Sequence, residues 1–206
     1  MEKIANLLIY IHAGFGGIAL IAGLIALIAK KGNLLHKKAG IIFFYSMLLS
    51  ATIALIVAML PNHFSPFLFV LGIFSSYFLI SGFRSLSFKQ KSHNYTIDKV
   101  IAFLILITGV FMVVWPIIIK HQINIVLLVF GTMSIFFGVN DLLAFRNTSQ
   151  LKKRWLKIHL GKMTGGYISA VSAFFVVNNV LPGVWNWFTP GVIGSLYIIY
   201  WIRKLK

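Results

Sequence analysis

The sequence predicts an all-α, polytopic membrane bundle of seven transmembrane helices. Three observations carry that reading. Apolar side chains make up 59% of the 206 residues and charged ones only 11%, with a mean hydropathy of +0.92, far from soluble norms. Seven apolar runs each approach the ~20 residues a bilayer span requires. The cations gather in alternate connections, as the positive-inside rule expects of a multi-pass chain.

In chain order the runs are about 4–28, 39–60, 66–83, 100–119, 123–145, 154–180 and 188–202. The first is too long for a signal-peptide core and lacks a small-residue cleavage site, so it reads as a retained helix. The seventh is short, and Pro190 fits its first turn, where a missing N–H costs little. No soluble domain or low-complexity tract interrupts the pattern, and residues 1–206 read as one integral membrane domain.

Orientation follows from the cations. Lys30, Lys31, Lys37 and Lys38 lie between the first two runs, and Arg84, Lys89, Lys91 and Lys99 between the third and fourth. Arg146, Lys152, Lys153, Arg154, Lys157 and Lys162 flank or just enter the sixth, and Arg203, Lys204 and Lys206 end the chain. Only Lys3 and Lys120 fall on the other side, so 17 of 19 cations mark one face. The expected topology places the N-terminus outside and the C-terminus in the cytoplasm of a cell inner (plasma) membrane. The formal charge of +16 therefore reflects topology and not a nucleic-acid surface.

The sixth run holds Gly161, Gly165, Ser169 and Ala173 at fourfold spacing. One face of small side chains lets neighbouring backbones approach closely in lipid. The absence of cysteine excludes disulfides, thiolate metal sites and iron–sulfur clusters.

Chemistry must then come from the few polar groups at membrane depth, which are costly there and generally functional. His12 lies about two turns into the first run among glycines, and His36 and His159 stand at the basic mouths of the second and sixth. Asp141 is the one acidic residue placed inside a span, near the end of the fifth, with Arg84 closing the third at the same level. Each also has a plain structural reading. His36 and His159 would extend a cationic flank, His12 would bond a neighbouring carbonyl, and Asp141 would pair with Arg84, Lys162 or Arg146. His63, His93 and His121 fall in loops and are expected to be mostly solvated.

The motifs IHAGFGGIALIAG, LHKKAG and WLKIHLGKMTGGYISAVSAFFVVN resemble those of the bacterial multi-pass proteins grouped as DUF2306, a family of unknown function. His12, His36, Gly40 and His159 carry the likeness. It implies a membrane protein and no activity. A looser similarity, resting on histidine placement alone, is to b-type cytochromes such as cytochrome b561. It implies haem b clamped within the bundle.

Three function classes follow. The leading one is a b-type haem electron carrier with His36 and His159 as axial ligands near the cytoplasmic face, and His12 as a further cofactor candidate. The second is a metal-dependent membrane enzyme with His36, His159 and Asp141 around zinc, although no HxxxH or HExxH spacing supports it. The third is a proton-coupled transporter or small-molecule binder, using Asp141, Arg84 and Lys162 as an ion pair or relay. Its partners would be the lipid bilayer and a small molecule or quinone. His36, Asp141 and His159 are expected to converge at the basic end.

Overall fold

The computed structural model describes residues 2–205. Lys206, assigned above to the terminal basic cluster, lies outside the described residues. Among those described, the chain forms seven α-helices, one short 3₁₀ turn and no strand. They are α1 (Glu2–Ile28), α2 (Leu34–Val57), α3 (Pro66–Arg84) running into the turn Ser85–Ser87, α4 (Thr96–Lys120), α5 (Ile125–Ala144), α6 (Thr148–Asn178) and α7 (Trp185–Lys204).

Capping sets several of these starts outside the apolar runs. Asn33, Ser65, Asn124 and Asn147 each offer a side-chain oxygen to a backbone N–H of the first turn that follows, which satisfies donors that have no intrahelical partner. Asn147 extends α6 to 31 residues, roughly 46 Å at 1.5 Å per residue. The lysine-rich segment is therefore helix. Lys162, placed above with the flanking cations, stands about 21 Å along the axis from Thr148 and is only 7% exposed. Pro190 is likewise not in the first turn: α7 begins at Trp185, so the proline lies inside the helix.

Sequential hairpins α1/α2, α4/α5 and α6/α7 form the main contacts, and α3 packs across α6 as well as against α2 and α4. Glycine permits the tightest approaches. In the α4/α5 pair, a Cβ on Gly109 would lie 2.7 Å from the Gly131 carbonyl, and one on Gly131 would lie 2.9 Å from the Gly109 carbonyl. In the α3/α6 pair, a Cβ on Gly165 would stand 2.6 Å from the Phe78 ring, beside the fully buried Leu79. The small-residue face of α6 is thus only partly an interface. Gly165 and Ser169 are buried, Ala173 is exposed, and a Cβ on Gly161 would meet nothing within 4 Å.

Outward surfaces are apolar along much of the bundle. Ile21, Ile41, Phe103, Ile107, Phe136 and Leu196 are all half-exposed or more, an arrangement that hydrocarbon tolerates and water does not. Six helices, α1 through α6, are long and apolar enough to cross a membrane. Helix α7 falls short on composition yet runs the height of the bundle. Its Trp187 packs edge-on against Phe67 at the start of α3, while its Tyr197 hydroxyl donates to the Leu27 carbonyl at the opposite, basic end.

Close packing at Gly165 sets the first expectation. Gly165→Leu should lower the detergent melting temperature by an amount equivalent to ~1–3 kcal/mol, as overpacked sites do. Val177→Leu should leave it unchanged, because Val177 is 84% exposed. Thermal unfolding of the two purified variants separates a packed α3/α6 seam from a loose one.

Candidate functional site

The site at the basic end is assembled from helix termini. Asn33 caps α2 by accepting the His36 N–H at 2.7 Å, which fixes His36 in the first turn. The His36 ring Nδ1 lies 2.9 Å from the Ala26 carbonyl of α1. On α6, the His159 Nδ1 lies 2.9 Å from the Gly82 carbonyl of α3. A carbonyl only accepts, so Nδ1 is the donor in both rings, and in a neutral ring so oriented Nε2 holds the lone pair. Among the described residues neither Nε2 has a hydrogen-bond partner, and neither is sealed from solvent-sized contact.

Both imidazoles line one cavity of about 500 Å³. Phe43, Phe83, Trp155, Met163 and Tyr167 give it apolar walls. Gly40 lines it as well, and a Cβ there would meet nothing within 4 Å. Lys31, Lys37 and Lys89 stand around its mouth. Lys31 is held in place, donating to the Leu27 carbonyl at 2.5 Å and the Ala26 carbonyl at 3.1 Å. Its ammonium lies over the Trp201 and Tyr197 rings. Burial pushes its pKa below the usual lysine range.

Asp141 does not join this group. It lines a second cavity, a cleft of about 780 Å³ between α5, α6 and α7. Its Oδ2 accepts from Lys162 Nζ at 2.6 Å and from the Tyr77 hydroxyl at 2.7 Å. Lys162 also donates to Tyr77 and sits over its ring, with Phe137 and Phe78 completing an aromatic surround. The separation has a local cause where α6 passes α3 at Gly82. His159 bonds the Gly82 carbonyl, while the Lys162 stem packs where a Gly82 side chain would be. Among the described residues no three His, Asp or Glu side chains gather as a metal site. The expected convergence of His36, Asp141 and His159 is corrected to two histidines in one cavity and the carboxylate in another.

Arg84 also has a different partner. Its guanidinium pairs with both oxygens of Asp98 at 2.8 Å, a bidentate geometry that fixes orientation. Asp98 falls just outside the fourth apolar run, which starts near residue 100, whereas α4 begins at Thr96. His93, expected with the other loop histidines to be mostly solvated, has its side chain only 7% exposed, and its Nε2 lies 2.8 Å from the Asp98 Oδ2 that also accepts from Arg84. His121 is exposed at the left-handed end of α4, and His63 is 3.7 Å from Glu2.

His12 lies away from both cavities. Its Nδ1 is 2.9 Å from the Ser50 carbonyl, and the Ser50 hydroxyl donates back to the His12 carbonyl at 3.0 Å. That reciprocal pair joins α1 to α2, the structural alternative weighed for this residue. Sequence reading missed Tyr77, Asp98 and His93. Helical counting from the Asn147 and Tyr95 boundaries was the signal that would have set Lys162 deep and Asp98 on helix.

An apolar exterior, at least six helices of spanning length and ionisable groups turned inward define a multi-pass helical membrane protein. No protein-family profile, curated protein or solved structure matches the chain.

Removing one partner of a buried ion pair strands the other, at about 3–5 kcal/mol. Lys162→Met should therefore destabilise the protein strongly. Lys162→Met combined with Asp141→Leu should recover most of the loss. A double-mutant cycle by thermal unfolding in detergent checks this, and additive losses would show the pair to be uncoupled.

Proposed function

We propose that this is an integral membrane electron carrier whose basic-end cavity would hold haem b, with His36 and His159 as the residues that would ligate its iron. One observation carries the reading. Two imidazoles line the same apolar cavity, and each has Nδ1 committed to a backbone carbonyl and Nε2 left open. That is how a protein orients a metal-ligating histidine and fixes its tautomer. Haem iron accepts two such nitrogens, so the absence of a third protein ligand does not count against it.

The rest of the lining suits the group. Phe43, Phe83, Trp155 and Tyr167 would exclude water from the macrocycle, and Gly40 leaves open space on the α2 wall. Lys37 lines the cavity and would be the cation available to a propionate, since Lys31 is engaged by carbonyls and the Lys89 ammonium lies over the Trp155 ring. Bound haem would supply one-electron chemistry. The chain's own part is to fix the two ring planes through Ala26 and Gly82 and to keep the cavity dry. Zinc in place of haem fits less well, because Asp141 is neutralised in another cavity. A relay through Asp141 and Lys162 is the remaining alternative, while Arg84 is held by Asp98.

We also propose seven spans in one membrane domain, with the N-terminus outside and the C-terminus in the cytoplasm of the inner membrane. The end-to-end contacts of α7 with Phe67 and Leu27 support the seventh. The DUF2306 likeness is a further proposal, and two of its three motifs supply the histidines of this cavity.

Detergent-purified protein, expressed with haem supply, should show a Soret band that sharpens on reduction and iron equimolar with the chain. His36→Ala and His159→Ala should each abolish low-spin character, and His12→Ala should retain it. Colourless protein that takes up no added haem would end the cofactor reading. Topology is checked separately. A C-terminal reporter should behave as cytoplasmic and an N-terminal tag should be accessible from outside, whereas termini on the same side would reduce the bundle to six spans.

A further inference from the structure

The cleft between α5, α6 and α7 has no part in the haem reading. Its floor runs along α6 from Arg154 to Ser172 and its wall along α7 from Trp187 to Ile202. Those stretches are about 27 Å and about 22 Å long at 1.5 Å per residue. Half of a ~30 Å hydrocarbon core is only about 15 Å deep. The slot therefore reaches past the middle of a bilayer. Gly161 and Gly191 line it from two helices, and a Cβ on either would meet nothing within 4 Å.

Most polar groups along the slot are already bonded to protein. Ser169 donates to the Gly165 carbonyl at 3.2 Å and Ser172 to the Trp187 carbonyl at 3.3 Å. Asp141 and Lys162 neutralise one another with help from Tyr77. Apart from Ser195, what remains open is apolar, with Phe74, Phe130, Val129, Ile168 and Ile199 among its walls. Arg154 and Lys157 are different. They stand one turn apart at the basic mouth on the Gly161 side of α6, and neither has a hydrogen-bond or ion-pair partner among the described residues. The three acidic residues of the chain are Glu2, Asp98 and Asp141, and the last two are already paired.

We propose that this cleft binds a long-chain lipid monophosphate. The phosphate sits between Arg154 and Lys157, and the chain lies along α6 between α5 and α7. Two cations one helical turn apart are suited to a compact dianion, through charge-assisted hydrogen bonds. The length of the slot selects a chain that continues beyond the midplane. An ordinary diacyl lipid, whose tails stop there, would fill the near half only. Open space at Gly161 and Gly191 lets the chain lie directly on the helix backbones.

The test is native mass spectrometry of the full chain in neutral detergent, titrated with a long polyprenyl monophosphate. One adduct per chain is expected, with phosphatidylglycerol bound about tenfold more weakly, a difference near 1.4 kcal/mol. Arg154→Gln with Lys157→Gln should weaken the adduct about tenfold or more. Gly161→Phe with Gly191→Phe should abolish it without lowering the melting temperature, since both side chains enter empty space. The charge variants alter exposed or half-exposed groups, so they remain informative even if the filled variant does not fold. Undiminished adduct in both variant pairs would overturn the proposal, as would phosphatidylglycerol binding equal to the polyprenyl phosphate. Neither result touches the basic-end cavity, whose spectrum reports on it independently.

Discussion

A lysine ammonium well inside a membrane bundle has to be neutralised by the protein itself, and the arrangement of the central helices turns on that requirement. A charge at the centre of a span costs ~2.5–3.5 kcal/mol on insertion scales, and more once it is dried and left alone. Lys162 meets Asp141 of α5 and Tyr77 of α3, so α3, α5 and α6 share one polar point. The register is then narrow. Sliding α6 by a turn along α3 would take Lys162 from its partners and drive Phe78 away from the space above Gly165. Packing and charge agree on one alignment, which is what gives a bundle of mostly interchangeable apolar side chains a single solution.

The same logic recurs at the ends on a smaller scale. Arg84, Asp98 and His93 fix α3 to the start of α4. Three histidines on three different helices each present Nδ1 to a carbonyl of a neighbouring helix: His12 to Ser50, His36 to Ala26 and His159 to Gly82. Identical local bonding has different consequences. His12 faces Ser50 in a closed α1/α2 contact, whereas His36 and His159 border empty space. A histidine in an apolar span is thus first a helix fastener. It becomes a ligand only where a cavity adjoins the other ring nitrogen.

Much of the fold was legible because the bilayer imposes length and polarity rules that composition obeys. All seven helices fall on the seven apolar runs, displaced chiefly where Asn33, Tyr95 and Asn147 begin helix in polar sequence. Apolar counting discards such turns, and that omission hid Asp98, while Lys162, read as just entering the sixth run and as a partner for Asp141, does pair with it. The site was less legible for a different reason. Position along a helix can be counted, so His36, Asp141 and His159 read as neighbours in height. Rotation about a helix axis in an all-apolar surround leaves little periodic signal, and rotation decides which cavity a side chain enters. Tyr77 was missed on the same ground, since an aromatic in an apolar run reads as core until its hydroxyl partner is known. The α4/α5 contact at Gly109 and Gly131 was also overlooked, because isolated glycines on two helices form no stripe on either.

The length of α6 ties these elements into one functional geometry. About 20 residues suffice to cross hydrocarbon, and α6 has 31. The surplus lies at its basic start, where Lys152, Lys153, Arg154 and Lys157 are carried on helix. Residues on different faces of this extension reach different cavities. Trp155 and His159 border the one containing His36, and Arg154, Lys157 and Gly161 border the cleft. Both cavities consequently have cationic mouths at the same level and apolar depths below, with Lys162 and Asp141 shutting off charge between them. An anionic amphiphile approaching from that side would meet the same attraction at either mouth. What distinguishes the two is the lining beneath: paired imidazoles in the first, and in the second a slot where the Asp141–Lys162 pair and the Ser169 and Ser172 hydroxyls are already bonded. On the two proposed readings, selection between ligands would lie in the side chains one to three turns below the surface, and the basic surface would supply capture.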